Sequence, residues 1–190
     1  KGVDSRELEF RGLDTRLDAN YLHHESISKN KSITTVKGNV FIKQIDKKIR
    51  ATWAKFIKGS QEKAILKNIN LELQDLDWLI QKKSRKKFEN IKMKEALKNP
   101  VQIKAVQMDV NITDKVIVLK GNVIILQKEK IAKCNQLTFK DNTGKIELMG
   151  NVYVKKGDGD TLNTERLVVD LESESFWTDQ KGAEIEFEIK

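Results

Sequence analysis

The stretch Leu119-Lys120-Gly121-Asn122-Val123-Ile124-Ile125 has a pattern of residues that recurs in the chain. Leu148-Met149-Gly150-Asn151-Val152-Tyr153-Val154 repeats it 29 residues later, and Val36-Lys37-Gly38-Asn39-Val40-Phe41-Ile42 is a third copy. Apolar residues take alternate positions in each copy, which is typical of a strand with one side in an apolar interior. The glycine at the same place in each strand predicts a bulge, a bend or a close backbone approach.

Two degenerate copies lie between the first copy and the later ones. Leu66-Lys67-Asn68-Ile69-Asn70-Leu71 lacks the glycine, and Leu97-Lys98-Asn99-Pro100-Val101-Gln102-Ile103 replaces the Gly-Asn pair by Asn-Pro. Repeats of this length indicate stacked units that each need a neighbour to bury their apolar side. These residues predict an all-β repeat array in a single domain of residues 1–190. The anchor residues of the five copies are Val40, Ile69, Val101, Val123 and Val152.

The remaining segments follow the array less regularly. A returning strand is predicted through Ile49, Ala51 and Trp53, and no pattern is evident between Phe10 and Asn30. Residues 75–97 break the alternation and predict a short helical or irregular insertion; between a helix and an inserted strand pair with a basic loop, we favour the strand pair. Edge strands are predicted at the two ends of the chain, at Leu8 and Phe10 and at Ile185, Phe187 and Ile189.

The charge of the chain is unevenly distributed. The net charge is +8, and charged residues make up 34% of the sequence. Residues 157–190 hold three basic residues against ten acidic ones, a net charge of −7, so residues 1–156 carry +15. This asymmetry favours anionic partners for the basic part of the molecule. The alternative is a solvated surface without a partner.

The sequence contains no catalytic constellation, so we expect a protein that is not an enzyme and needs no cofactor or metal. His23 and His24 are neighbours, and neighbours in a strand point to opposite faces, so they could not chelate one metal ion together. Cys134 is expected to be a small strand residue, because no group is predicted to activate it. Residues 157–160, Gly-Asp-Gly-Asp, are expected to form a plain turn rather than a calcium loop.

The apolar residues at alternate positions of each strand have two interpretations. If every strand turns its row of apolar residues the same way, the rows stack into a continuous apolar strip. In a closed sandwich this strip is only a core. In a slightly splayed one it is a trough that accepts lipid chains, at about 0.8 kcal/mol per buried methylene. Periodicity alone leaves both interpretations open.

The sequence resembles the OstA-like family of lipopolysaccharide-transport proteins. The resemblance covers roughly residues 33–73 and 100–182, and departs from the family pattern at 75–97. The matching motifs are Pro100-Val101-Gln102-Ile103, Met108 to Ile112, Leu119 to Gln127, Leu137-Thr138-Phe139, Gly150-Asn151-Val152, Asp160 to Leu167 and Thr178-Asp179.

The resemblance implies a twisted β-jellyroll of stacked V-shaped antiparallel units, acting in outer membrane biogenesis. Such a protein is a non-enzymatic section of a periplasmic bridge that moves lipopolysaccharide from the inner to the outer membrane, with acyl chains inside. Its implied partners are lipopolysaccharide, the inner-membrane transporter complex and other jellyroll components. The predicted edge strands would pair with those components. Two members of the family fit the resemblance, the membrane-tethered adaptor and the soluble middle component. We favour the adaptor, so a tether to the inner membrane is expected upstream of Lys1.

Roles can also be expected for particular side chains. Because of their charge, Lys82, Lys83, Arg85, Lys86 and Lys87 are expected to contact phosphorylated headgroups or an anionic membrane surface. The alternative for these residues is a solvated loop. The apolar residues at the inward-facing strand positions are expected to contact acyl chains. They are Val40, Ile42, Ile69, Leu71, Val101, Ile103, Val110, Ile117, Leu119, Val123, Ile125, Phe139, Ile146, Leu148, Val152, Val154, Leu167 and Val169.

Two other functions remain open from the sequence. The basic two-thirds would suit a nucleic-acid-binding module, but such a surface needs exposed aromatic residues among the basic ones, and aromatic residues are only 6% of the chain. We therefore expect no nucleic-acid partner. The other alternative is a purely structural β-array of the cell envelope.

Overall fold

The computed structural model describes residues 15–44, 47–74, 99–157, 161–171, 173 and 175–178. These residues form one antiparallel sheet of eleven strands without a helix, which confirms the predicted all-β class. Consecutive strands from β3 to β11 are neighbours, and β1 and β2 both pair with β3. The strands are β1 (Arg16–Asp18), β2 (Tyr21–Ser28), β3 (Lys31–Lys43), β4 (Lys47–Lys58), β5 (Lys63–Leu73), β6 (Val101–Asn111), β7 (Val116–Gln127), β8 (Lys130–Lys140), β9 (Lys145–Lys155), β10 (Thr161–Asp170) and β11 (Ser175–Thr178).

The Gly-Asn pairs form the predicted bulges. On β7, Gly121 and Asn122 have φ angles of 78° and 47°, in the left-handed region that glycine and asparagine tolerate best. Lys120 pairs with Gln136 and Val123 with Cys134, so β7 has one residue more than β8 between these two pairs. The extra residue bends the strand locally. Corresponding register shifts occur on β3 and β9.

The bulges divide the sheet into two arms that meet along a line we call the crease. The first arm consists of β2, residues 31–37, 53–58, 63–67, 107–111, 116–120, 136–140, 145–149 and 166–170, and β11. The second arm consists of β1 and residues 40–43, 47–51, 69–73, 101–105, 123–127, 130–134, 152–155 and 161–164.

The sheet folds along the crease so that its arms cover each other. Val36 in the first arm and Val123 in the second are both 0% exposed, and residues of both arms belong to one hydrophobic cluster. A flat single sheet would leave such residues open to water on their own side. Within the described ranges no helix or second sheet covers that side. The arms therefore pack face to face, as the two halves of a V.

The structure corrects several details of the predicted array. Val101 does not occupy the position equivalent to the anchor Val123. Ile103 pairs with Ile125, so Val101 lies at the first position of β6, away from the bulge. Trp53 does not face inward with Ile49 and Ala51. The next inward residue after Ala51 is Ala54, three positions further along the strand. Strands β1 and β2 lie in a segment for which no strand was predicted. The predicted edge residues Leu8, Phe10, Ile185, Phe187 and Ile189 and the insertion at 75–97 lie outside the described residues.

Candidate functional site

The inward side of the first arm carries a continuous ladder of apolar side chains beside the crease. Each member lies directly opposite the next across neighbouring strands, so their side chains are on one face of the sheet. The ladder is closed to water at its centre, where Leu66 and Leu119 are both 2% exposed. Its members are Leu22, Val36, Ala54, Leu66, Met108, Leu119, Leu137, Leu148 and Leu167.

The second arm faces this ladder with its own row beside the crease. Val123 and Cys134 pair directly there, as do Val152 and Thr164. The inward residues on either side of the bulge are four apart on β7, at Leu119 and Val123. On β8 they are three apart, and the bulge absorbs this difference. The row consists of Val40, Ala51, Ile69, Ala105, Val123, Cys134, Val152 and Thr164.

A second pair of ladders lies nearer to the strand ends, at the mouth of the V. In the first arm this mouth ladder runs through Thr34, Phe56, Ala64, Val110, Ile117, Phe139, Ile146, Val169 and Phe176. In the second arm it runs through Leu17, Ile42, Ile49, Leu71, Ile103, Ile125, Ala132, Val154 and Leu162.

The mouth ladders are more exposed than the crease. Val36, Val40, Val123 and Val152 beside the crease are at most 2% exposed. Ile117 and Val154 in the mouth ladders are only partly buried, although they pack against the core cluster. Exposure that rises from the crease to the strand ends is expected of two arms that diverge. The inward side is therefore a core at its base and an accessible apolar surface at part of its mouth.

All eighteen residues predicted to contact acyl chains lie on this inward side, either in the core cluster or packed against it. Their burial divides them into two groups. Those beside the crease, such as Leu119 and Val152, are enclosed by protein. Ile117, Ile125, Ile146, Val154 and Val169 are partly exposed. Lipid contact by these side chains stays a prediction.

Sequence reasoning missed the inward residues that follow the three-residue step. Ala54, Met108 and Leu137 complete the first-arm crease ladder, and Ala105 belongs to the second arm. A visible signal was available, because the alternation changes parity between Ala105 and Met108 and again between Cys134 and Leu137. Each change of parity on one strand lies beside a Gly-Asn bulge or its counterpart on a neighbouring strand.

Cys134 and the two histidines are not brought together with other metal-binding groups in the described part of the sheet. Burial raises the pKa of the Cys134 thiol to about 11, so it stays protonated at neutral pH and is a poor nucleophile. His23 and His24 are both exposed on β2, and His24 Nδ1 lies 2.8 Å from Thr34 Oγ1. The described ranges contain no group of three or more His, Cys, Asp or Glu side chains placed to hold a metal ion.

The outward face of the second arm is electropositive. Five exposed basic side chains lie on it, of which Arg50 interacts with the Glu72 carboxylate: Lys43, Arg50, Lys104, Lys133 and Lys155. Two of them lie over aromatic rings, Arg50 at 4.9 Å from the centre of Phe41 and Lys133 at 5.9 Å from that of Tyr153. The predicted headgroup contacts Lys82, Lys83, Arg85, Lys86 and Lys87 lie outside the described residues.

In the portion that the structure covers, no helix is long and apolar enough to cross a membrane.

The chain resembles a solved structure, whereas family models and curated proteins give no match. No family model matches the chain. No curated protein matches it either. Among solved structures, the chain is similar to LptH, described as the LptA homologous periplasmic component of the conserved lipopolysaccharide transport device from Pseudomonas aeruginosa. This likeness has a TM-score of 0.46 and 12% sequence identity, and it covers 80% of this chain and 96% of that one.

Proposed function

We propose that the V-shaped sheet binds the acyl chains of an anionic glycolipid and that the protein is a non-enzymatic carrier of lipopolysaccharide in the periplasm. The observation that carries the proposal is the apolar surface of the mouth ladders. Ile125 and Val154 on one arm, and Ile117 and Ile146 on the other, are aliphatic side chains that protein packing leaves partly exposed. Partly exposed aliphatic residues in two continuous rows form a strip rather than scattered points, and such strips mark binding surfaces.

The energetics favour a ligand with hydrocarbon chains. Each buried methylene contributes about 0.8 kcal/mol, so one long chain laid along the ladders gains several kcal/mol. The mouth ladders offer an acyl chain no hydrogen-bonding side chains apart from Thr34 at the N-terminal end of the first arm. A sugar would therefore lose its hydrogen bonds with water if it entered, and it stays outside.

Charge at the strand ends supports an anionic headgroup. The ends of β7, β8 and β9 in the second arm carry Lys128, Lys130, Lys155 and Lys156, together with Glu129. An ammonium group attracts phosphate by its charge at the boundary of the apolar surface. The sequence resemblance to lipopolysaccharide-transport proteins supports the same ligand, whose lipid anchor is phosphorylated and acylated.

The partners and location follow from this proposal. The carrier would receive its cargo from an inner-membrane transporter complex and pass it to other jellyroll components by edge-to-edge strand pairing, at Leu8 and Phe10 and at Ile185, Phe187 and Ile189. A tether upstream of Lys1 would hold it at the inner membrane. The eighteen inward residues would line the path, with the partly exposed ones in direct contact with lipid.

A matched pair of substitutions tests the lipid site. Ile146 lies on the inward side, whereas Ile65 pairs with Lys55 and Asp109 on the outward side, and both are partly buried. Ile146→Asp places a charge in the path of the acyl chains and should abolish lipopolysaccharide binding in a fluorescence titration. Ile65→Asp should leave it intact. Equal loss of binding in two folded variants would contradict the assignment of the inward side.

The nucleic-acid alternative has one observation in its favour, the electropositive second-arm face with its aromatic rings. The rings of Phe41 and Tyr153 already lie against Arg50 and Lys133, which makes them poor platforms for a base. Titration with lipopolysaccharide and with single-stranded DNA at two salt concentrations separates the two functions. Steeply salt-dependent DNA binding without lipid binding would reverse the proposal. Absence of both would leave a structural envelope protein.

A further inference from the structure

The mouth of the V is not equally exposed along the sheet. In the second-arm mouth ladder, the five members from β1 to β6 are all at most 8% exposed: Leu17, Ile42, Ile49, Leu71 and Ile103. The four members from β7 to β10 are all partly exposed: Ile125, Ala132, Val154 and Leu162. The change occurs between adjacent strands, since Ile103 and Ile125 pair directly. The step lies in the middle of the sheet, so it is not a property of a chain end.

The first arm changes in the same direction. Ala64 and Val110 are 1% and 8% exposed, whereas Ile117, Ile146, Val169 and Phe176 towards the C-terminal end are partly exposed. Phe139 at 8%, and the partly exposed Thr34 and Phe56, depart from the trend. The partly exposed residues of the two arms face the same inward side, so they border the mouth of the V between β7 and β11.

Small inward side chains are concentrated in the closed half. β4, β5 and β6 contribute four inward alanines: Ala51, Ala54 and Ala105 beside the crease, and Ala64 in the mouth ladder. An alanine projects little from its strand, so the opposite arm can approach closely. The positions beside the crease on β7 and β9 hold the larger Leu119, Val123, Leu148 and Val152.

A buried polar contact also lies in the N-terminal half. Gln44 and Thr15 lie at the end of the second arm and are 6% and 4% exposed. The Gln44 Nε2 group donates a hydrogen bond of 2.8 Å to Thr15 Oγ1. Both residues belong to the same arm, next to β3 and β1, so this bond joins two neighbouring strands and satisfies polar groups that are buried there.

We infer that acyl chains enter and seat in the C-terminal half of the V, between β7 and β11, while the N-terminal half stays closed without ligand. This inference rests on the proposed function, and it adds where in the fold the lipid loads. The lysines at the ends of β7, β8 and β9 border this half, so an anionic headgroup would find Lys128, Lys130, Lys155 and Lys156 beside the entry point.

Thiol labelling of two matched variants tests the location. Ile49→Cys and Ile125→Cys place a thiol on the same ladder in the closed and the open half. The native thiol of Cys134 is 3% exposed and gives little background. Ile125→Cys should react with a maleimide, and lipopolysaccharide at ten times its Kd should slow this reaction about tenfold by mass action. Ile49→Cys should react slowly, at a rate that lipopolysaccharide does not change.

The control ligand is deacylated lipopolysaccharide, which should protect neither thiol. Leu71→Cys and Val154→Cys repeat the comparison on other strands, and thermal unfolding verifies that each variant is folded. Equal protection in both halves, or faster labelling of Ile49→Cys on addition of lipid, would overturn the location and leave the proposed function intact. No protection of Ile125→Cys, Val154→Cys or any other position by intact lipopolysaccharide would instead contradict the proposed function.

Discussion

Gly121 lies directly beneath Val106: a Cβ atom built on Gly121 would stand 2.9 Å from the Cβ of Val106. Gly121 also has a φ angle of 78°, which side chains of L-amino acids rarely adopt. Two independent constraints, backbone conformation and space, thus require glycine at this bulge. The same combination occurs at Gly150, where the side chain of Asn135 takes the place of Val106.

Replacing Gly121 by alanine should lower the free energy of unfolding by about 2 kcal/mol, because the left-handed conformation strains an alanine. Urea unfolding measures this change. Gly59 is the control, since no positive φ is found there and its nearest neighbour would be Lys31 Cγ at 3.9 Å. Gly59→Ala should be neutral or slightly stabilising.

A double substitution separates the two constraints at Gly121. Val106 is 48% exposed, so Val106→Ala alone should change stability little. In the Gly121→Ala background, Val106→Ala should restore the part of the loss caused by crowding and leave the part caused by the backbone. If the two substitutions have strictly additive effects on the free energy of unfolding, crowding between Val106 and the new Cβ atom plays no role.

Leu119→Ala and Ile146→Ala should have opposite profiles. Leu119 beside the crease is 2% exposed, so its truncation leaves a cavity and should cost about 2–5 kcal/mol of stability. Ile146 at the mouth is partly exposed, and its truncation should cost less while weakening lipid binding more. Calorimetric unfolding and lipid titration of the two variants measure both effects. A larger stability loss for Ile146→Ala would contradict the gradient of burial from crease to mouth.

Cys134 should make stability fall at alkaline pH. Its thiol has a pKa of about 11 in the folded protein, against an ordinary value of 9.0. Between these two values the unfolded chain loses the proton while the folded protein keeps it, so rising pH favours unfolding. The free energy of unfolding should decline more steeply in this range than it does for Cys134→Ala. Parallel pH curves for the two proteins would show that the thiol titrates normally.

Lys43 lies in a row of like charges on the outward face. It is directly opposite Arg16 on β1 and Lys48 on β4. Like charges at opposite positions destabilise a sheet, whereas opposite charges stabilise it by about 0.2–1 kcal/mol per pair. Lys43→Glu should therefore raise the urea midpoint at low salt. The gain should shrink at high salt because the side chains are solvent-exposed and screened.

The bulges could be predicted from the sequence because their cause is local. A Gly-Asn pair adopts the left-handed backbone conformation that a bulge needs. The sequence did not predict β2, whose residues from Tyr21 to Ser28 are almost all exposed. A strand without a buried face has no hydrophobic alternation, so its pairing with β3 is invisible in the sequence. The anchor at Val101 failed for a related reason, since apolar residues around a turn-like Asn-Pro pair do not specify a register.

The extent of the candidate site depended on packing between the arms. Ile49 and Ile125 are the same residue type on the same ladder, yet one is 8% exposed and the other is partly exposed. Their own positions in the repeat cannot distinguish them, because burial also depends on the side chains of the opposite arm. The sequence therefore predicted which residues face inward, whereas their access to a ligand required the structure.

The offset of 29 residues between Val123 and Val152 corresponds to one hairpin of the folded sheet, from β7 to β9. Inserting or deleting such a hairpin would add or remove one bulge together with its compensating three-residue step. The inward-facing residues of the strands on either side of the change would still lie opposite each other. Evolution can thus adjust the capacity of the molecule in whole hairpins while the cross-section that a guest encounters stays constant.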